Sequence, residues 1–119
     1  MIEMKTILVV DDEPDMVFLL RLTLERSGYQ VIEAHDGVAA LQRLSEQRPD
    51  AILTDLMMPL MDGQQLILSI RSDPSTYQIP IGLVSANPNG TTGADATLKK
   101  PYRPSELLEL VRGLLGEGT

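Results

Sequence analysis

The fold is indicated most clearly by the stretch Ile7-Leu8-Val9-Val10-Asp11-Asp12, in which four apolar residues run directly into two aspartates. Two later runs end in a similar way, Ala51-Ile52-Leu53-Thr54 before Asp55 and Ala96-Thr97-Leu98-Lys99 before Lys100. If these runs are neighbouring parallel strands, three carboxylates and one ammonium group meet at one edge of a sheet. Such an arrangement can hold a metal ion and accept a phosphoryl group.

Short apolar runs alternate with helical patterns along the whole chain. Several of the runs are rich in valine or isoleucine, as is typical of parallel strands that are covered on both faces. The alternation predicts an α/β fold with a parallel sheet, right-handed crossovers and helices on both faces. Capping residues and N-terminal prolines predict helix starts at Pro14, after Asp36, at Asp62 or Gly63, and at Pro104. The predicted strands lie near residues 6–10, 30–34, 51–54, 80–84 and 96–99.

The connection after the fourth predicted strand breaks this pattern. Eleven residues separate Ser85 from Thr97, and they include the turn-forming pairs Asn87-Pro88, Asn89-Gly90 and Thr92-Gly93. A parallel crossover that contains a helix needs at least about 10 to 12 residues. We therefore expect a loop here, or at most one helical turn.

The length and the net charge of the chain indicate how many domains it has and which binding partners are disfavoured. A chain of 119 residues with 43% hydrophobic content has the size of one domain, so we expect a single domain over residues 1–119 with no output domain. The net charge of −7 disfavours direct binding to nucleic acids or to anionic membrane surfaces. The chain has no cysteine, no secretion signal and no long apolar segment, which favours a cytoplasmic location.

The residues at the predicted strand ends suit phosphoryl chemistry. Clustered carboxylates repel one another, and a bound divalent cation favours their ionised forms. Mg²⁺ fits best, because it uses one or two carboxylates and completes its shell with water and phosphate oxygens. An ionised aspartate can attack phosphorus to form an acyl phosphate, while Lys100 neutralises the phosphoryl oxygens. Ser85 offers a hydroxyl donor that could sense whether Asp55 is modified.

Three motifs stand out in the chain: Val9-Val10-Asp11-Asp12-Glu13, Asp55-Leu56-Met57-Met58-Pro59-Leu60-Met61-Asp62-Gly63, and Lys100-Pro101. Their order and spacing resemble those of the receiver domains of two-component response regulators, the CheY-like family. The resemblance covers essentially the whole chain. It implies a flavodoxin-like three-layer sandwich with a five-stranded parallel sheet of order 2-1-3-4-5.

The resemblance also implies a role for each residue of the site. Asp55 would be the phosphoacceptor, with Lys100 and Ser85 contacting the phosphoryl group. The implied Mg²⁺ ligands are Asp55, Asp12 directly, Asp11 mainly through water, and the backbone carbonyl of Met57. The phosphoryl donor would be a phosphohistidine on a sensor histidine kinase or a histidine phosphotransfer protein, and a downstream effector protein would read the change in two-component signal transduction.

Two features depart from the family pattern. Family members normally have a full helix where residues 86–96 lie, and an aromatic switch residue where this chain has Thr97. Both belong to the surface that usually signals output. In this chain we expect the switch to act through Ser85 and the loop after it.

Other interpretations remain open at this stage. The protein could be a receiver-like constitutive interaction module without regulated phosphorylation, although the complete set of pocket residues argues against that. A phosphatase with an aspartyl intermediate is disfavoured because Met57 stands where a second aspartate would act as general acid. Leu107 and Val111 could form a dimer surface, yet their helical spacing favours burial on the sheet. We therefore expect a monomer or a weak homodimer.

Overall fold

The structure, a computed structural model, describes residues 4–117, in which four helices accompany five parallel strands. The strands are β1 (Thr6–Val10), β2 (Gln30–Ala34), β3 (Ala51–Thr54), β4 (Ile81–Ser85) and β5 (Ala96–Lys99). The helices are α1 (Pro14–Arg26), α2 (Gly37–Glu46), α3 (Gly63–Ser72) and α4 (Pro104–Leu115). Each helix in this part of the chain is too short or too polar to cross a membrane.

The strands form one sheet in the order β2-β1-β3-β4-β5, which confirms the predicted α/β fold and its strand order. β1 and β3 lie side by side, with Val10 paired to Thr54, and β4 pairs with β5 so that Ser85 lies beside Lys99. Because all strands run in parallel, their carboxyl ends share one edge of the sheet. The residues that follow β1, β3 and β5 are therefore brought together.

The sheet is covered on both faces, as the apolar strands predicted. Along β1, Ile7 and Val9 pack in the core shared with α1 and α4, whereas Leu8 and Val10 pack in the core shared with α2 and α3. This alternation follows from the two-residue period of a strand. Leu107 of α4 is fully buried in the first core, which favours a core role over a dimer surface for this face of the helix.

The helix starts agree with the capping residues in the sequence. The Asp36 side chain accepts a hydrogen bond from the Ala39 N–H (2.7 Å) at the start of α2. At α3, Asp62 Oδ1 accepts from the Gln65 N–H (2.8 Å), and Gln65 Oε1 accepts from the Asp62 N–H (2.9 Å). This reciprocal pair fixes the start of α3 at Gly63, one residue after the cap.

Residues 86–95, which we call the β4–β5 segment, contain no helix, as their length and turn pairs predicted. β4 itself begins at Ile81, one residue later than predicted, and ends at Ser85. Pro80 has no N–H to donate to the neighbouring strand, although its carbonyl accepts from the Ile52 N–H (2.9 Å). Thr97 lies exposed on β5.

Candidate metal and phosphoryl site

The site begins with three carboxylates at the shared edge of β1 and β3. Asp11 and Asp12 directly follow β1, and Asp55 directly follows β3. One carboxylate oxygen from each residue lies within 4.8 Å of the other two. Asp11 is buried, Asp55 is nearly so, and Asp12 is exposed to solvent. The sequence prediction that these three side chains converge is therefore correct.

The donor set fits a hard divalent cation. All three side chains offer carboxylate oxygens, which are the ligands that Mg²⁺ prefers, and the chain contains no cysteine. The only histidine, His35, lies exposed outside this group. The arrangement is an acidic triad of the kind that holds Mg²⁺ with several water molecules.

Lys100 completes the site from the end of β5, which is separated from β3 by β4. Its Nζ lies 3.3 Å from Asp11 Oδ2 and 3.5 Å from Asp55 Oδ2. The backbone N–H of Lys100 donates to the Ser85 carbonyl (2.9 Å) and extends the pairing of β4 and β5 by one residue. This bond fixes the backbone of Lys100, from which the side chain reaches the carboxylates. One ammonium group is thus shared between two largely buried acids.

The pKa values of Asp11 and Lys100 reflect their burial and the presence of a single ammonium group beside several carboxylates. Burial raises the pKa of Asp11 above its ordinary value, although a hydrogen bond from the Glu13 N–H (3.0 Å) and the Lys100 charge act in the opposite direction. Partial burial lowers the pKa of Lys100, but the charges of Asp11 and Asp55 outweigh it, so the pKa lies above its ordinary value. Lys100 is therefore positively charged at neutral pH, and the pocket still favours an additional cation.

The backbone around Asp55 holds its carboxylate in a defined orientation. The Asp55 N–H donates to the Val10 carbonyl (3.0 Å), and the Leu56 N–H donates to Asp55 Oδ1 (2.7 Å). The Thr54 hydroxyl donates to the Asp55 carbonyl (2.8 Å). Asp55 Oδ1 is consequently bound by its own chain, whereas Oδ2 faces Lys100.

Ser85 lies at the same sheet edge, at the end of β4, with only 3% of its surface exposed. Its Oγ accepts a hydrogen bond from the Asn87 N–H (3.2 Å), which leaves the hydroxyl hydrogen free to be donated elsewhere. This placement is compatible with contact to a phosphoryl group on Asp55. That contact, and the backbone carbonyl of Met57 as a metal ligand, stay predictions.

The three methionines after Asp55 have different surroundings. Met58 and Met61 pack against the core shared by α2 and α3, whereas the Met57 side chain is 75% exposed. The Met57 side chain therefore contributes little to the packing of this loop.

An apolar groove that was not predicted from the sequence lies beside the acidic site, next to Lys100. Met16, Leu19 and Thr23 of α1 form one wall, and Pro101, Tyr102 and Pro104 form the other. These three residues repeat at three- and four-residue spacing along α1, but the buried residues of the helix are Val17, Leu20 and Leu24. The sequence signal for the groove was that the apolar residues of α1 cover more of the helix surface than one buried face requires.

Comparison with known proteins places the chain in a family. The family described as "response regulator receiver domain" matches residues 7–112, which is most of the chain. Response regulator GtcR of Aneurinibacillus migulanus is 36% identical over 118 residues, covering 93% of this chain and 48% of that protein. The alkaline phosphatase synthesis transcriptional regulatory protein PhoP of Bacillus subtilis is 38% identical over 118 residues, with the same coverage. The chain belongs to the response regulator receiver domain family.

Solved structures agree with this assignment. The receiver domain of sensor histidine kinase PA1611 from Pseudomonas aeruginosa, with a magnesium ion coordinated in its active site cleft, has a TM-score of 0.90 at 29% identity. That comparison covers 96% of this chain and 99% of the other. Response regulator TrrA from Thermotoga maritima, in complex with Mg²⁺ and BeF, has a TM-score of 0.87 at 32% identity, covering 94% of this chain and 100% of the other.

The comparisons define what kind of protein this is. Receiver domains are phosphoacceptor signalling domains rather than true enzymes, they are partnered with histidine kinases, and the acidic triad here resembles the magnesium site of receiver structures. The chain spans about half the length of the curated relatives that it matches.

Proposed function

We propose that Asp55 accepts a phosphoryl group from a phosphohistidine and that the modified domain changes its affinity for a partner protein. The observation that carries this proposal is the meeting of three carboxylates and one shared ammonium group at the edge of a receiver-type sheet. We assign each part of the acceptor chemistry to one of the residues at this edge.

The chemistry is an in-line displacement at phosphorus. An Asp55 carboxylate oxygen forms the new P–O bond, the P–N bond to the imidazole breaks, and its electron pair stays on the histidine nitrogen. Lys100, already 3.5 Å from Asp55 Oδ2, would neutralise the oxygens of the transferred group. The Ser85 hydroxyl would donate a hydrogen bond to the same group and so report the modification to the β4–β5 segment.

Asp11, Asp12, Asp55 and the Met57 carbonyl would hold Mg²⁺ in this site. When bound, the ion supplies positive charge against the phosphoryl oxygens. The exposed Asp12 would bind the ion directly, and the buried Asp11 would act mainly through water.

The donor would be a sensor histidine kinase or a histidine phosphotransfer protein, and a downstream effector would bind the modified form. A protein that delivers a phosphoryl group to Asp55 must contact the surface next to the acidic site. The apolar groove between α1 and the residues after β5 lies there and offers area to bury. The domain would modify only itself and turn over no external substrate.

The first test measures the intact mass after incubation with Mg²⁺ and a small phosphodonor such as acetyl phosphate. We expect the mass of one added phosphoryl group for the wild type and none for Asp55→Ala. Asp73→Ala is the matched control, because it removes an exposed carboxylate at the C-terminal end of α3. A wild type that gains no mass would favour the constitutive interaction module, and rapid multiple turnover of the donor would favour a phosphatase.

A further inference from the structure

The second half of the β4–β5 segment is anchored to α3 at both ends of that helix. The Thr92 N–H donates to Gln64 Oε1 (2.8 Å), and Gln64 Nε2 donates to the Thr92 carbonyl (3.0 Å). Near the other end of α3, Arg71 Nε donates to the Gly93 carbonyl (3.0 Å), and the Arg71 guanidinium pairs with Asp95 (2.7 Å). Side chains of α3 thus form hydrogen bonds with backbone N–H and carbonyl groups of a segment that has no helical hydrogen bonds of its own.

The first half of the segment, residues 86–91, is held differently. Within residues 4–117, its only hydrogen bond is the one from the Asn87 N–H to Ser85 Oγ (3.2 Å). Most of these residues are exposed. The conformation of this half is consequently set by its two fixed ends, Ser85 at the end of β4 and Thr92 on Gln64.

The first turn of α3 is itself fixed to the loop that carries the acceptor. The Gly63 N–H donates to the Leu56 carbonyl (2.7 Å), and a Cβ atom built on Gly63 would overlap the Asp55 carbonyl oxygen. Gln64 directly follows this point of backbone contact. Its position relative to Asp55 is therefore defined by main-chain packing.

We propose that Gln64 is a positioning residue, which fixes the far end of residues 86–92 against the acceptor loop and thereby holds the Ser85 hydroxyl within reach of a phosphoryl group on Asp55. This inference rests on the proposed function. The segment from Ser85 to Thr92 is a loop with one end at the site and the other end bonded to Gln64. The Ser85 backbone stays fixed in β4 when the Thr92 end is released. The loop then has more conformations open to it, and the Asn87 N–H orients the Ser85 hydroxyl in a smaller fraction of molecules.

The contacts separate this role from a general structural one. Gln64 has no hydrogen bond to the three carboxylates or to Lys100 among the described residues. Arg71 and Asp95 continue to hold residues 93–95 when Gln64 is replaced. A change at Gln64 is therefore expected to leave the affinity for Mg²⁺ unchanged. It should weaken only the binding of a phosphoryl group or its mimic, because that ligand contacts the Ser85 hydroxyl.

The experiment compares Gln64→Met with Gln42→Met in the full chain. Methionine keeps the length of the side chain and a similar helix propensity, and removes both amide hydrogen bonds. Gln42 is an exposed glutamine of α2 whose side chain makes no hydrogen bond within residues 4–117, which makes it a matched control. Mg²⁺ binding is measured by calorimetry, and beryllofluoride binding at saturating Mg²⁺ by nuclear magnetic resonance.

We expect Gln64→Met to bind Mg²⁺ with wild-type affinity and to bind beryllofluoride about five- to tenfold more weakly, because the apparent affinity falls with the fraction of competent molecules. The Thr92 amide is expected to lose protection from hydrogen exchange. Gln42→Met is expected to match the wild type in all three measurements.

Two results would overturn the positioning role while leaving the proposed function intact. One is wild-type affinity of Gln64→Met for beryllofluoride. The other is an equal loss of Mg²⁺ and beryllofluoride affinity, which would mean that Gln64 supports the whole pocket rather than the placement of Ser85. A wild type that binds neither Mg²⁺ nor beryllofluoride would instead overturn the proposed function, and this inference with it.

Discussion

Lys100 sets the charge balance of the site, because it is the one cation within ion-pair distance of Asp11 and Asp55 among residues 4–117. Its own position depends on the last backbone hydrogen bond between β4 and β5. The sequence predicted this convergence, since parallel strands end at a common edge.

We predict that Lys100→Ala still binds Mg²⁺ and loses its structural response to beryllofluoride. Removing the ammonium group removes a positive charge that competes with the ion, while the carboxylates remain. Lys99→Ala, a change at the exposed neighbour on β5, is the control. Calorimetry reports Mg²⁺ binding and nuclear magnetic resonance reports the response. An unaltered response in Lys100→Ala would refute the assigned role.

Leu60 occupies a conformation that suits glycine better than leucine. Its φ is 69°, the Met61 N–H donates to the Pro59 carbonyl (2.8 Å) around it, and its side chain is 85% exposed. A left-handed conformation costs a branched residue about 1 to 2 kcal/mol, and this side chain buries little surface in return.

We predict that Leu60→Gly raises the free energy of unfolding by about 0.5 to 1 kcal/mol, because relief of backbone strain exceeds the greater entropy of the unfolded chain. Leu68→Gly is the comparison, since Leu68 is an exposed leucine inside α3. This variant should lose about 1 kcal/mol of unfolding free energy, because glycine disfavours the helix. Urea unfolding measures both. Equal destabilisation of the two variants would show that Leu60 is not strained.

At the scale of elements, the contact between α3 and the acceptor loop depends on a missing side chain. Gly63 starts α3, and its backbone lies against the Asp55 carbonyl. The cap formed by Asp62 and Gln65 could be predicted from their spacing. The need for glycine at the next position could not, because the neighbouring backbone is eight residues away in the sequence.

We predict that Gly63→Ala lowers the free energy of unfolding by at least about 2 kcal/mol, since the added methyl group must displace backbone and not a flexible side chain. Gly113→Ala in α4 provides the contrast, because no heavy atom lies within 4 Å of its added Cβ. That variant should gain about 1 kcal/mol from helix propensity. Similar stabilisation of both proteins in urea unfolding would contradict the close approach at Gly63.

At the scale of the whole molecule, Tyr29 joins the start of β2 to the end of α4. Its hydroxyl donates to Glu117 Oε1 (3.1 Å), across 88 positions of sequence. Burial raises the pKa of Tyr29 above its ordinary value of 10.0, and the Glu117 side chain acts in the same direction, while Arg112 opposes it. The folded protein therefore holds the phenolic proton more tightly than the unfolded chain does.

This difference predicts a pH dependence of stability. The contribution of the Tyr29 hydroxyl is complete below its ordinary pKa and is lost as the pH rises through the higher pKa of the folded state. At pH 8 we expect the free energy of unfolding of the wild type to be about 1 kcal/mol higher than that of Tyr29→Phe. We expect this difference to shrink above about pH 10. Tyr77→Phe, which removes the hydroxyl of a half-exposed tyrosine, is the control. A constant difference between wild type and Tyr29→Phe in urea unfolding would contradict this account.

The parallel sheet, the helix starts, the missing helix between β4 and β5, and the meeting of Asp11, Asp12, Asp55 and Lys100 could all be predicted from the sequence. These features follow from local periodicity, capping chemistry and the common direction of parallel strands. Three other features became visible in the folded chain alone: the apolar residues of α1 that line a groove, the need for glycine at Gly63, and the contacts by which Gln64 and Arg71 hold the β4–β5 segment. Those features depend on distances between side chains and backbone on different elements, which no local pattern encodes.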